Sequence, residues 1–226
     1  MNRDTAVIIP VYNEGRVIKG VLKSVLKDFA FVICVDDGSS DNSASEVQST
    51  SALFVRHPFN IGQGAALQTG IEFAKENADI KYFVTFDADG QHRIKDVHTM
   101  LSKLRTGKYD IVLGSRFLGV TSNVKRSKRA VLKLAIKFSN LMSGLDLSDA
   151  HNGLRAFNRH VADTVNITMP DYAHASEILE TIAEKKYRYT EVPVAIEYSK
   201  YSLSKGQNTI NAINIGFDVV LRRLTK

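Results

Sequence analysis

At 226 residues the chain is long enough to bury about 70% of its unfolded surface as one domain, and 44% apolar with 24% charged residues excludes a disordered or fibrous protein. Its net charge of +6 is local: residues 121–145 hold Lys125, Arg126, Lys128, Arg129, Lys133 and Lys137 and no acid, and without these six the basic and acidic residues balance at 24 each. Such a patch implies an anionic partner at that place, while the single cysteine, Cys34 in an apolar run, excludes a disulfide framework or a cysteine metal cluster and reads as a core thiol.

Along the chain, short apolar runs alternate with helical patterns, which predicts an α/β fold with a largely parallel sheet in a single domain, 1–226. Strands are expected over 6–10, 31–35, 52–56, 82–86 and 111–114. The first helix presents Val17, Ile18, Val21, Leu22, Val25 and Leu26 on one face, and further helices are expected over 64–75 and 94–104. After about residue 115 the alternation loosens. A basic helix (about 125–142) leads to a polar loop (146–155), a short run at 154–157, a helix over 175–183 and a strand over 191–198. A terminal helical pattern then carries Ile210, Ile213, Phe217, Val220, Leu221 and Leu224 on one face. The chain therefore divides into a nucleotide-binding half, 1–118, and an acceptor half, 119–226. No segment reaches the roughly 20 apolar residues of a membrane span and no signal peptide is evident, so the chain is expected to be cytoplasmic and soluble, or peripheral.

Three polar clusters each follow an expected strand: Pro10-Val11-Tyr12-Asn13-Glu14, Asp36-Asp37-Gly38-Ser39-Ser40-Asp41 and Asp87-Ala88-Asp89-Gly90-Gln91-His92. Ligands of open α/β sheets bind at the carboxyl ends of the strands, so all three are expected on one edge. Asp87 and Asp89, two residues apart, can face a hard cation together, with Gln91 adding an oxygen. Mg²⁺ and Mn²⁺ suit such a site, since a few protein oxygens plus substrate phosphates complete the shell. Taken alone, each cluster is also what a strand-end turn looks like, because Asp and Gly are turn formers; the coincidence of three points to a site. His57, His98, His160 and His174 have no ligand spacing and read as surface or packing residues, whereas His92 and His151 lie in motif loops.

Those three motifs, in this order and spacing, resemble family 2 glycosyltransferases. The resemblance implies a GT-A fold in which Pro10, Tyr12, Glu14, Asp36 and Asp37 seat the nucleotide, with Asn60 and Gly64 of Asn60-Ile61-Gly62-Gln63-Gly64 and Asp87-Ala88 beside it. It also implies metal and diphosphate on Asp87, Asp89 and Gln91. The second half is similar to dolichol-phosphate mannose synthases and related polyprenyl-phosphate sugar synthases, through Gly114-Ser115-Arg116-Phe117, the basic helix, Ser148-Asp149-Ala150-His151-Asn152-Gly153-Leu154-Arg155, Glu191-Val192-Pro193-Val194 and Ser204-Lys205. By that likeness the lipid phosphate would be gripped by Arg116, Arg129, Lys133 and Lys205. Lys133 replaces a serine of those synthases, and where they carry an arginine before Ser-Lys this chain has Lys200 as its nearest cation.

The residues support a phosphate acceptor separately. A sugar hydroxyl needs a carboxylate base, whereas a phosphate monoester, with a second pKa of about 6, needs cations to hold it. The expected reaction is an inverting, metal-dependent transfer from a UDP- or GDP-sugar to a polyprenyl phosphate, with Asp89, Asp149 and Arg116 as the catalytic set. Membrane attachment through the basic stretch, the terminal helix or a small membrane-protein subunit is expected. The alternative within the family is elongation of a cell-surface polysaccharide or lipid-linked saccharide with Asp149 as base. A sugar-1-phosphate nucleotidyltransferase lacks its glycine-rich loop here, and a nucleic-acid-binding module has no use for three acidic clusters on one edge.

Overall fold

Ala6-Val7-Ile8-Ile9 can form an unbroken apolar strand because both of its faces are covered. In the computed structural model, which describes residues 1–118, 136–137, 140–141, 143–150, 152–169 and 173–197, that strand is β1 (Asn2–Val11). It is followed by α1 (Ile18–Val25), β2 (Phe29–Asp36), α2 (Ser43–Gln48), β3 (Leu53–Arg56), α3 (Gln63–Lys75), β4 (Tyr82–Thr85), α4 (Ile94–Leu104) and β5 (Ile111–Ser115). The chain continues through β6 (Arg155–Asn158), α5 (Arg159–Thr164), α6 (His174–Glu184) and β7 (Tyr189–Pro193). The seven strands lie in the order β3-β2-β1-β4-β6-β5-β7. Every described pairing is parallel except those of β6, which runs antiparallel to β4 and β5.

Alternation along the strands sends two apolar sets to opposite faces. Ala6, Ile8, Ile33, Val35 and Phe83 pack with α3, α5 and α6 through Leu67, Ile71, Val161, Ile178 and Leu179. Val7, Ile9, Val32, Cys34 and Val84 pack with α1, α2 and α4 through Ile18, Leu22, Val47, Met100 and Leu101. Cys34 is fully buried, and burial pushes its thiol far above the ordinary range, as expected of a core residue. At Gly70 a Cβ would come within 2.4 Å of Ile8 Cγ2, so glycine lets α3 lie close on β1.

Most of the expected helices and strands recur with ends shifted by a residue or two, and α4 coincides with its expected span, but β1 starts four residues before its expected start, at Asn2, and the strand expected over 191–198 ends five residues short. Two short helices, α2 and α5, had no apolar stripe to announce them. The last strand begins at Tyr189 and ends at Pro193, which cannot donate a ladder bond. Beyond it, Val194 N still donates to Ser115 O and Glu197 N to Gln91 O, which holds this segment beside the acidic loop after β4.

Candidate active site

The parallel strands bring the first two clusters together at one edge, and their loops interlock through side chains. Asn13, held in the left-handed region at φ 54, accepts at its Oδ1 from Ser40 N (2.9 Å), and its own N–H donates to Ser39 Oγ (2.9 Å). Glu14 N donates to Ser43 Oγ and Gly15 N to Asp41 Oδ2. At Gly15 a Cβ would sit 1.9 Å from Asn42 Oδ1 and 3.0 Å from Ser43 N, so the missing side chain lets the two loops lie close. Asp36 is fully buried, its Oδ1 accepting from Ser39 N and its Oδ2 lying 3.1 Å from Arg56 Nε. Tyr12 stays 47% exposed at the rim of this edge, an unusual position for an aromatic ring and a suitable one for stacking on a base.

Asp37 does more than line the edge. Its Oδ1 meets His57 Nδ1 (2.7 Å) and accepts from Ile61 N (3.0 Å), and its Oδ2 accepts from Gly62 N (2.8 Å); His57 Nε2 in turn meets Thr69 Oγ1. One carboxylate therefore ties the Asn60–Gly64 segment and α3 to the end of β2. His57 and His174 are buried, whereas His98, paired with Asp28, and His160, edge-on to Tyr187, lie at the surface, as the reading of these four as surface or packing residues expects.

Asp87 and Asp89 lie directly after β4. The Asp87 side chain is 31% exposed, enough to present oxygen to a ligand, yet it is held from the sides: His92 Nε2 lies 2.8 Å from Oδ2, and Gln63 Nε2 donates to Oδ1 at 3.3 Å. Desolvation raises the Asp87 carboxyl, but His92, Arg155 and His174 together outweigh it and hold it below its ordinary range. Burial and the charge of Asp87 push Asp89 up to about 6, opposed by the Gln91 N–H and His92 and reinforced by Glu14. Two carboxylates that repel each other in this way suit a divalent cation, which would relieve the repulsion. Among the described residues no three His, Cys, Asp or Glu side chains form a metal cage. The pair thus fits an ion that draws its remaining oxygens from a substrate. Ala88 between them is buried, and Gly90 turns the loop at φ 76.

The acceptor-side residues meet at the end of β5. Arg116 grips Asp149 bidentately, Nε to Oδ2 at 2.6 Å and Nη2 to Oδ1 at 2.7 Å, and its backbone N–H donates to Oδ2 as well. Glu191 on β7 accepts from Ser148 N, Ser148 Oγ and Asp149 N, and so fixes the loop that carries Asp149. Arg129, Lys133, Lys205 and His151, with most of the basic helix and the whole terminal stripe, lie outside the described residues.

Arg155, Gly153 and Glu191 stand in motifs noted above without a role. Arg155 is 2% exposed at the head of β6, and burial draws its guanidinium down to about 10 against the attraction of Asp87 and Asp149. The available signal was an arginine inside the run Leu154-Arg155-Ala156-Phe157: in a sheet covered on both faces, alternation leaves it nowhere to go but inward.

Comparison with known proteins decides the family. The sequence model of glycosyl transferase family 2 matches residues 6–165. The chain belongs to this family. It is a glycosyltransferase with a GT-A fold, similar to polyprenyl-phosphate sugar synthases. The UDP-N-acetylglucosamine–dolichyl-phosphate N-acetylglucosaminyltransferase of Methanococcus voltae is 31% identical over 244 residues, covering 96% of this chain and 93% of its own. The polyprenol monophosphomannose synthase of Mycolicibacterium smegmatis is 25% identical, covering 89% and 80% respectively. Among solved structures, glucosyl-3-phosphoglycerate synthase of Mycobacterium tuberculosis, crystallised with Mn²⁺ and UDP-glucose, superposes with a TM-score of 0.71 over 99% of this chain and 78% of its own. At 18% identity it speaks for the fold alone. Among the described residues, no helix of this glycosyltransferase is long and apolar enough to cross a membrane.

Proposed function

We infer that this glycosyltransferase moves a sugar from a UDP- or GDP-sugar to a polyprenyl phosphate, with inversion, at the cytoplasmic face of a membrane. The observation that carries this reading is the state of Asp149. A hydroxyl acceptor needs a base; of the two described acceptor-side carboxylates Glu191 is taken up by the Ser148–Asp149 loop, which leaves Asp149. Both of its oxygens accept hydrogen bonds from Arg116, three in all, so its role is to aim a cation. An aimed arginine suits an acceptor that is already an anion, and phosphate is the group whose geometry a guanidinium matches best. The near full-length similarity to a dolichyl-phosphate transferase supports the same choice.

In this reading Tyr12, Glu14, Asp36 and the segment held by Asp37, with Pro10, Asn60, Gly64 and Ala88, line the nucleotide. Asp87 and Asp89, with Gln91, hold Mg²⁺ or Mn²⁺, which supplies counter-charge to the departing diphosphate. Arg116, with Arg129, Lys133 and Lys205, holds the acceptor phosphate facing the anomeric carbon. The protein reaches its lipid from the surface, through its basic stretch and a small membrane-protein subunit. The test is incubation with a panel of labelled nucleotide sugars and short polyprenyl phosphates, followed by solvent extraction. Label should enter the organic phase with one donor; label appearing only in water-soluble saccharide would favour polysaccharide elongation.

A further inference from the structure

Arg155 is a buried cation that, among the described residues, makes no ion-pair contact and leaves its Nη1 without a hydrogen-bond partner. Its place follows from register. Across the antiparallel β4–β6 pair Arg155 faces Thr85, and Thr85 Oγ1 accepts from Arg155 N while donating to Gly153 O. Two residues further along each strand, Gly153 lies against Asp87, so closely that a Cβ would come within 2.4 Å of Asp87 Oδ2. On its other side Arg155 pairs with Leu113 of β5, the strand that ends in Ser115 and leads to Arg116 and its partner Asp149. The Arg155 side chain is therefore buried on a strand flanked by the two acidic centres of the site, and the charges of both Asp87 and Asp149 act on it. Among the described residues no directed bond joins it to either carboxylate, and at 2% exposure it is little screened by solvent.

A buried charge held in this way acts through its field. We propose that Arg155 is the fixed counter-charge of the Asp87–Asp89 pair: it neutralises Asp87 from behind, so that the site holds a bare divalent cation weakly and holds it well only when a nucleotide diphosphate adds its own negative charge. The inference rests on the reading that Asp87 and Asp89 bind the metal, and gives it a consequence. Metal and nucleotide sugar load together, and a site without nucleotide does not fill with stray cations. Arg155 is on this account a positioning residue that never contacts substrate.

The sign of the effect separates this role from a structural one. Damage to the site weakens metal binding, whereas removing a neighbouring positive charge strengthens it. The experiment measures Mn²⁺ binding from the electron-paramagnetic signal of the free ion, without nucleotide and with saturating UDP or GDP. For Arg155→Met the nucleotide-free affinity should rise about tenfold or more, as expected for one buried unit charge acting on a divalent ion at an effective dielectric of about 20. The gain from added nucleotide should shrink. Arg155→Lys should stay near the wild type. Asp149→Asn leaves Arg155 less compensated and should weaken Mn²⁺ binding severalfold although Asp149 is on the acceptor side. A folded Arg155→Met that binds Mn²⁺ no more tightly than the wild type overturns the proposal. If that variant does not fold, Arg155→Gln, which keeps a polar side chain and removes the charge, decides, and unchanged or weaker binding overturns the proposal. Wild-type protein that binds no Mn²⁺ with either nucleotide overturns the metal reading itself and the proposal with it. Bound Mn²⁺ that ignores the variants overturns only the proposal.

Discussion

Glu191→Gln tests whether the acceptor side is built as a relay. The Glu191 carboxylate accepts from Ser148 N at 2.8 Å, Ser148 Oγ at 3.0 Å and Asp149 N at 3.1 Å. The glutamine amide keeps one acceptor oxygen and turns the other into a donor that faces a donor. A hydrogen bond to a charged group contributes about 1.5–3 kcal/mol, and an unsatisfied donor costs a similar amount; at this half-buried loop the low end of each applies, so the change costs about 3 kcal/mol in all. If half of that reaches Asp149 and its grip on Arg116, about 1.4 kcal/mol is lost from the acceptor contact, which is a factor of about ten. Steady-state kinetics, with each substrate varied at saturation of the other, should show acceptor kcat/KM reduced about tenfold and donor KM within twofold of wild type. A raised donor KM with an unchanged acceptor KM would refute the relay.

Other perturbations test separate parts. Asp89→Ala should reduce turnover by about a hundredfold or more, the scale of one lost electrostatic contact to a developing charge; full activity in excess chelator with saturating donor would contradict a metal at this pair. Arg116→Ala should raise the acceptor KM at least tenfold and leave nucleotide binding, measured by calorimetry, unchanged; weaker nucleotide binding would place Arg116 on the wrong substrate. Asp110, at the start of β5, joins three strands by accepting from Arg188 of the β7 entry and from Asn158 at the end of β6, and these bonds hold its carboxyl at about 2. A depressed carboxyl stabilises the fold above the unfolded value and loses that contribution as pH falls through about 2. Allowing for solvent screening, Asp110→Asn should cost about 1–2 kcal/mol at pH 7. The gap in urea midpoint should close between pH 4 and pH 2, and a gap independent of pH would remove the electrostatic explanation.

The parts legible in the sequence were those with local signatures. Asp36, Asp37, Asp87 and Asp89 stand directly after apolar runs, and strand-end position follows from that adjacency alone. The packing role of Cys34 and the span of α4 follow from periodicity in the same way. Non-local features were not legible. Nothing in the chain near residue 155 says that β6 inserts antiparallel between β4 and β5, and it is that insertion which carries Arg155 beside Asp87. The three donors captured by Glu191 come from residues more than 40 positions away, and Arg116 pairs with Asp149 across 33 positions. His174 read as packing and is buried, yet it also contributes to the field at Asp87 across a helix whose approach no spacing rule encodes. α2 escaped because Val47 is its sole buried apolar side chain.

The central claim is that the acceptor is recognised as a phosphate, and the direct measurement compares two lipids that differ only there. Purified protein, Mg²⁺ and the labelled nucleotide sugar that the panel selects are incubated with a short polyprenyl phosphate or with the corresponding polyprenol, and the organic-phase product is counted. The account predicts label in the phosphate-bearing lipid, with the alcohol slower by at least a thousandfold, because Arg116 and Asp149 form a clamp and supply no base. Comparable transfer to the alcohol, abolished by Asp149→Asn, would contradict it and return Asp149 to the role of general base.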